Sequence, residues 1–293
     1  MNDHAPASLA AVSADIAPPS PAPAGPCGRP ILRWHGGKWR LADWIISHLP
    51  NHRVYVEPFG GAASVLLKKP RSYCEVYNDL DGEVVNLFRM VRDRGEELRR
   101  ALELTPFARE EFAASYQATD DSLEQARRTV VRSFMGFGSN SHNQQTGFRA
   151  NSSRCGTTPA HDWRNYPGAF GAVVERLRGV VIENRPAADV MHAHDGDDTV
   201  HYVDPPYVAE TRDKGGDYRH EMTDADHASL AETLHTLRGA VVLSGYRSEM
   251  YSTFYAGWHV VERHARADGA LPRVECLWLS PRCPAPGLFS PRP

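Results

Sequence analysis

Apolar residues along this chain switch repeatedly between two spacings. Leu41, Trp44, Ile45 and Leu49 recur at helical spacing and Pro50 stops the run, which predicts a helix. Val54-Tyr55-Val56 is a short apolar run closed by Glu57-Pro58, which predicts a strand. Val65-Leu66-Leu67 opens the next helix, Tyr73 to Tyr77 forms a second strand ending at Asn78-Asp79, and Val84, Leu87, Phe88 and Val91 mark another helix. From Gly95 to about Gly136 the pattern is only helical, with Leu98, Leu102, Phe112, Leu123, Val130, Val131 and Phe134 on its apolar face. A polar, glycine-rich loop is expected from Gly138 to Pro167. A helix through Val173, Val174 and Leu177 then leads to strand Val180-Val181-Ile182. The run Val200-His201-Tyr202-Val203 reads as a buried strand, followed by a polar loop from Val208 to Met222. Thr223 with Asp226 forms a candidate capping box for a helix carrying Leu230, Leu234 and Leu237. Strand Ala240 to Leu243, a helix near Met250-Tyr251, strand Trp258 to Val261 and strand Val274 to Leu279 close the pattern.

Strands alternating with helices, interrupted by a helical block, predict a doubly wound α/β sheet with an insertion. Such sheets bind ligands outside the carboxyl ends of their strands. Three acidic turns, at Glu57, Asp79 and Asp204, are expected on that edge together.

Composition narrows the picture only a little. The chain is 41% hydrophobic and 24% charged, as in ordinary globular proteins. No apolar run approaches the ~20 residues that span a bilayer, and the N-terminus does not read as a secretory signal. Residues 1–29 are alanine- and proline-rich and are expected to be a disordered tail, as are residues 281–293. The five cysteines are scattered without a C-x-x-C pair, which predicts reduced thiols in a cytoplasm. Of the fourteen histidines, His192 and His194 are the closest pair, in the polar stretch His192 to Asp198. Lacking a spaced ligand set, that stretch reads as solvated loop, and no metal is expected. Net charge is −3, yet Gln125 to Tyr166 holds six arginines (127, 128, 132, 149, 154 and 164) against Asp162 alone. That local +5, interleaved with asparagines and glutamines, suits contacts to phosphates and bases. Arg127, Arg132, Asn140, Asn143, Arg149 and Arg154 are the candidate DNA-binding residues, and Val208 to Met222, with Arg212, Lys214 and Arg219, is a second candidate surface.

The chemistry concentrates in four motifs. Asp204-Pro205-Pro206-Tyr207 follows a strand as a rigid, non-helical turn. Such a turn can set a carboxylate, backbone carbonyls and a flat ring around a planar amine. Glu57-Pro58-Phe59-Gly60-Gly61-Ala62-Ala63-Ser64 joins a strand to a helix, and its small residues let the backbone approach a ligand or simply pack a tight turn. Asp79 closes the second strand, where an acid suits the hydroxyls of a ribose or caps the following helix. Arg33-Trp34-His35-Gly36-Gly37-Lys38 offers two glycines beside a lysine, with Trp34 able to cover a flat group.

Taken in order, Arg33 to Lys38, Tyr55 to Leu67, Asn78-Asp79 and Asp204 to Tyr207 resemble the Dam-like DNA adenine methyltransferase family. Val241 to Gly245 resembles the family's next strand, and Arg273 to Trp278 its closing strand. The resemblance covers roughly Pro30 to Pro281. It implies a Rossmann-like methyltransferase sheet formed by residues 30–81 and 172–280, with a helical target-recognition insert at 82–171. It also implies S-adenosylmethionine as methyl donor, held by Trp34, Lys38, Glu57, Pro58, Phe59, Gly60, Asp79 and Asp204. The partner implied is double-stranded DNA, in a bacterial or phage-encoded protein acting in the cytoplasm. The family's glycine turn often reads Phe-x-Gly-x-Gly; here the last position is Ala63, whose methyl narrows the approach but is expected to fit an unstrained turn. The insert is not matched, so no target sequence carries over.

Asp204, Pro205, Pro206 and Tyr207 are the expected catalytic residues. The adenine amino nitrogen is a poor nucleophile because its lone pair is delocalised. The Asp204 carboxylate and the Pro205 carbonyl are expected to accept its protons, and Tyr207 to stack on the base. Orientation and electrostatics would supply the catalysis, after the base leaves the duplex. Cytosine or RNA adenine as the methylated base, and a DNA-binding relative without activity, are the alternatives. Asp at position 204 favours DNA adenine.

Overall fold

The computed structural model describes residues 27–138, 141, 144–151, 156–212, 218–266 and 272–283. The chain starts with α1 (Ala42–Ile46), β1 (Val54–Glu57), α2 (Ser64–Lys68) and β2 (Cys74–Asn78). A helical block follows: α3 (Gly82–Asp93), α4 (Gly95–Leu104), α5 (Arg109–Ala114), α6 (Ser122–Met135), α7 (Pro159–Asn165) and α8 (Phe170–Leu177). The remaining elements are β3 (Val180–Glu183), α9 (Ala187–Ala193), β4 (Thr199–Val203), α10 (Asp224–Thr236), β5 (Ala240–Gly245), α11 (Glu249–Phe254), β6 (His259–Arg266) and β7 (Pro272–Leu279).

The seven strands form one sheet in the order β3-β2-β1-β4-β5-β7-β6. The first five in sequence pair in parallel, while β7 runs antiparallel between β5 and β6. Parallel strands covered on both faces should be apolar throughout, and every residue of β4 and β5 is buried. Alternation sorts the faces. Tyr55, Tyr77, Tyr202 and Val242 pack toward the helical block, whereas Val203, Val241 and Leu243 pack under α10 and α11. The helical block does not have a core of its own. Leu98, Leu102, Val130, Phe134, Trp163 and Phe170 belong to the same buried cluster as Tyr55 and Tyr77. A buried ionic knot reinforces that junction. Glu75 on β2 accepts from Lys69 at 2.7 Å and from both Arg176 nitrogens on α8, at 2.6 and 2.8 Å.

Several expectations shift. Folded chain starts before Pro30: Cys27 is buried in the core, and the Arg29 guanidinium lies 5.3 Å over the Tyr166 ring. The expected loop from Gly138 to Pro167 contains α7, capped by Thr158 with proline at its first turn. Trp163 anchors α7 by donating to the Thr105 carbonyl at 2.8 Å. The polar stretch from His192 is likewise not all loop, since α9 runs through Ala193. Its Asp195 accepts from the backbone N–H of Arg238 and Gly239, at 2.8 and 2.9 Å, and from buried His201 at 3.2 Å, so it ties β4 to β5. The capping box at Thr223 and Asp226 is present as expected.

Candidate active site

The carboxyl ends of β1, β2 and β4 carry Glu57, Asp79 and Asp204 to one edge of the sheet. A cavity of about 460 Å³ opens there, within the range of small-molecule sites. Trp34, Lys38, Glu57, Pro58, Phe59, Gly60, Asp79 and Asp204, all eight candidate cofactor contacts, line it. Of the four candidate catalytic residues, Asp204 and Pro206 line it and Pro205 and Tyr207 do not; Tyr207, expected to stack on the base, is instead buried with its hydroxyl on Glu275.

The turn after β1 is shaped by close approach. A Cβ on Gly60 would meet the Tyr77 ring at 2.2 Å. One on Gly61, at φ +46°, would meet the Trp34 indole nitrogen at 2.6 Å. Ala63, the last residue of this turn and fully buried, adopts φ 52° and ψ 38°. The expectation of an unstrained turn is therefore corrected: a left-handed alanine costs about 1–2 kcal/mol, which glycine avoids. Ala63→Gly should accordingly raise stability by about 0.5 kcal/mol in urea denaturation, where the same change inside a helix would cost about 1 kcal/mol. A loss of that size would contradict the strain.

Asp79 holds this turn in place. Its Oδ2 accepts from Gly61 N–H and its Oδ1 from Asp81 N–H, both at 2.8 Å. The cap of α3 is Asp81, which accepts from Glu83 N–H at 3.0 Å. Burial pushes the Asp79 carboxyl up to about 6 against those two N–H donors. Glu57 accepts from the Tyr55 hydroxyl at 2.8 Å and from Leu66 N–H at 3.0 Å. Burial, with the Asp204 charge added, pushes it up to about 8.

Lys38 is the buried cation among these acids. Its Nζ donates to the Gly36 carbonyl at 2.7 Å and lies 2.9 Å from Asp204 Oδ1 and 3.9 Å from Glu275 Oε1. Burial alone would lower the Lys38 pKa, but the Asp204 and Glu275 carboxylates outweigh it and hold the ammonium charged. The contact with Asp204 has ion-pair distance without hydrogen-bond alignment. Asp204 Oδ1 is thus buried with no hydrogen-bond partner among the described residues. Burial raises the Asp204 carboxyl, with Lys38 pulling it back only in part. Tyr207 is itself buried: Lys38 sits 4.8 Å over its ring, Tyr246 meets it edge-on at 4.7 Å, and its hydroxyl donates to Glu275.

Sequence reasoning did not single out Glu275, Tyr246 or the cavity wall from Tyr218 to Met222. That wall belongs to the polar loop read as a DNA surface. Arg219 pairs with Asp81 at 2.9 Å and Glu83 at 3.2 Å, and Arg212 with Glu221 at 2.6 Å; Lys214 lies outside the described residues. The arginine cluster also differs from its expected display. Arg127 is held by Glu124 and Glu111, at 2.6 and 2.9 Å. Arg132 is buried against Glu83 and the Ser115 carbonyl. Arg149 donates to the Phe134 carbonyl at 2.9 Å. Gln144, Gln145, Asn151 and Arg164 are exposed, whereas Asn140, Asn143 and Arg154 lie outside the described residues.

A Rossmann-like sheet with an antiparallel β7 and an acid-lined cavity at its carboxyl edge, closed by Asp-Pro-Pro-Tyr, defines a methyltransferase. Residues 34–266 match the family model of the D12 class N6 adenine-specific DNA methyltransferases, and the chain belongs to that family. It is 27% identical over 241 residues to the DNA adenine methylase of Serratia marcescens, covering 78% of this chain and 87% of that protein. A shorter segment of 73 residues is 38% identical to the DNA adenine methylase of Escherichia coli K12, covering 25% and 26% of the two chains. The enzyme is an adenine-specific DNA methyltransferase. No helix among the described residues is long and apolar enough to cross a membrane, and no cluster there could hold a metal ion.

Proposed function

We propose that the methyl donor is S-adenosylmethionine, bound in the acid-lined cavity, and that Asp204 accepts a proton of the adenine amino group. The observation that carries this reading is the Asp204 carboxylate, which lines the cavity while its Oδ1 is held by Lys38 Nζ at 2.9 Å. An ionised carboxylate has about four acceptor sites and the Lys38 ion pair occupies only part of them, so an exocyclic amine can offer a further N–H. The cavity's acids also suit the donor. When bound, S-adenosylmethionine would supply a methyl group activated by a sulfonium and bring an ammonium, two positive centres that the carboxylates of Asp79 and Asp204 on the cavity wall would favour.

Asp79 would meet the ribose hydroxyls with the lone pairs left over from Gly61 and Asp81, Trp34 would cover the donor, and the Gly60-Gly61 turn would run beside it. At the reaction centre, Asp204 and the Pro205 carbonyl would hold the amine so that its nitrogen lone pair faces the methyl group. Tyr207, gripped by Lys38, Tyr246 and Glu275, would back this turn. Lys38 would keep Asp204 ionised. Double-stranded DNA would be met by the exposed Gln144, Gln145, Asn151 and Arg164 and by Arg149, with Asn140, Asn143 and Arg154, outside the described residues, as further candidates.

The reading is tested with S-adenosylmethionine bearing a labelled methyl group and unmethylated DNA. Mass spectrometry of the nucleosides should find the label on N6 of deoxyadenosine, and no transfer from this donor would sink the proposal. In calorimetry, Asp79→Asn should weaken S-adenosylmethionine binding about tenfold, the loss of one charge-assisted hydrogen bond. Unchanged affinity would remove Asp79 from the donor site.

A further inference from the structure

Glu275 lies in the Arg273–Trp278 segment that resembles the family's closing strand, but that segment gave it no role at this centre. It lies on β7, where Cys276 pairs with Gly245, the last residue of β5. Glu275 therefore sits one residue past the carboxyl end of β5, on the edge that carries Asp204. It is 4% exposed. The residue across from it on β6 is Arg263, an obvious partner by register, but that guanidinium lies over the Trp44 ring. Glu275 instead accepts the Tyr207 hydroxyl and stands 3.9 Å from Lys38, whose nearer carboxylate is Asp204.

A second buried carboxylate beside an already paired ammonium is a poor way to stabilise a strand. An apolar residue of the same size would serve packing better. The feature is explained by what Glu275 holds. The Tyr207 hydroxyl would otherwise be a buried donor with no acceptor, and its ring could turn away from the edge contact with Tyr246. Tyr207 lies three residues beyond Asp204 in a turn stiffened by two prolines, so fixing the ring fixes the turn.

We propose that Glu275 is a positioning residue: by accepting the Tyr207 hydroxyl it locks the Asp204–Tyr207 turn in the orientation that sets the Asp204 carboxylate on the cavity wall. This rests on Asp204 as the reaction centre assigned above.

The test measures kcat and both KM values on unmethylated DNA with S-adenosylmethionine. Glu275→Met, which fills the space without an acceptor, should lower kcat about thirtyfold, leave both KM values within about threefold, and not lower the melting temperature. Glu275→Gln, whose amide oxygen still accepts the hydroxyl, should restore kcat to within about threefold of the unmodified enzyme. Tyr207→Phe should match Glu275→Met, and the double variant should be no slower than the slower single one, because both remove one link. Full activity of Glu275→Met, failure of Glu275→Gln to recover, or losses that multiply in the double variant would each overturn the proposal. If Glu275→Met does not fold, Tyr207→Phe reads the same link with Glu275 in place, and an undiminished kcat overturns it. Asp204→Ala separates the two levels: if that variant keeps full rate, the reaction centre itself is misassigned.

Discussion

Asp204→Ala should lower methyl transfer to DNA about 10²–10³-fold, the loss that accompanies removal of one preorganised polar group at a reacting centre. The expectation follows from the state of the oxygen. Asp204 Oδ1 is buried, lies 2.9 Å from Lys38 Nζ and has no hydrogen-bond donor among the described residues. The ion pair uses part of the carboxylate's acceptor capacity, and the lone pairs left over are open to a ligand in the cavity that Asp204 lines. Asp204→Asn keeps an acceptor oxygen without the charge and should lose less, about tenfold. S-adenosylmethionine affinity must be measured beside the rate, because Asp204 also lines the donor cavity. A rate loss with unchanged donor affinity assigns the carboxylate to the amine; a loss of affinity alone assigns it to the donor. The pH profile carries the same information. Burial raises the Asp204 carboxyl above its ordinary range, so activity needing the carboxylate should fall on the acid side earlier than an exposed aspartate would dictate. In Asp204→Asn that acid limb should move or vanish.

The framework of this centre was legible because each of its strands ends in a chemically distinctive turn. A parallel sheet buries both faces, so β4 and β5 read as unbroken apolar runs, and the residues after β1, β2 and β4 fall on one edge by topology alone. What escaped depends on contacts distant in the chain. Glu275 and Tyr207 are 68 residues apart in sequence, and nothing near either one names the other. The arginines on α6 looked like a displayed charge because local counting omits Glu111 and Glu83, which arrive from α5 and α3. Ala63 looked unstrained because a side chain reveals nothing of its φ; only the preference for glycine in the family hinted at the left-handed turn. The short helices α7 and α9 carry too few apolar positions to show a period, and Thr158-Pro159 was the one usable start signal for α7.

Lys38→Met should produce the largest stability loss of any single change at this site, and one that depends on pH. Lys38 lies 2.9 Å from Asp204 and 3.9 Å from Glu275, with Glu57 buried on the same cavity wall. Removing one partner of a buried ion pair costs about 3–5 kcal/mol, because the other charge stays behind without compensation. Here two carboxylates stay behind, and each can escape the penalty by taking a proton. Their folded pKa values then rise further above those of the unfolded chain, so the folded state binds more protons than the unfolded state across the intervening range. Stability must fall as pH rises through that range. Glu57, pushed up to about 8, and Asp79, at about 6, already impose the same sign on the unmodified protein: their contribution is complete below about pH 4 and lost as pH climbs toward 8. Urea denaturation should thus show Lys38→Met strongly destabilised at pH 8, and much closer to the unmodified protein at pH 5. Lys38's own raised pKa adds no slope in this window, since the ammonium is charged throughout in both states. An equal deficit at pH 5 and pH 8 would mean that packing of the lysine stem, and not its charge, holds this corner together. The reaction should suffer separately, because without the Lys38 ammonium the buried Asp204 carboxyl is raised further and holds its proton to higher pH, which weakens it as an acceptor for the amine.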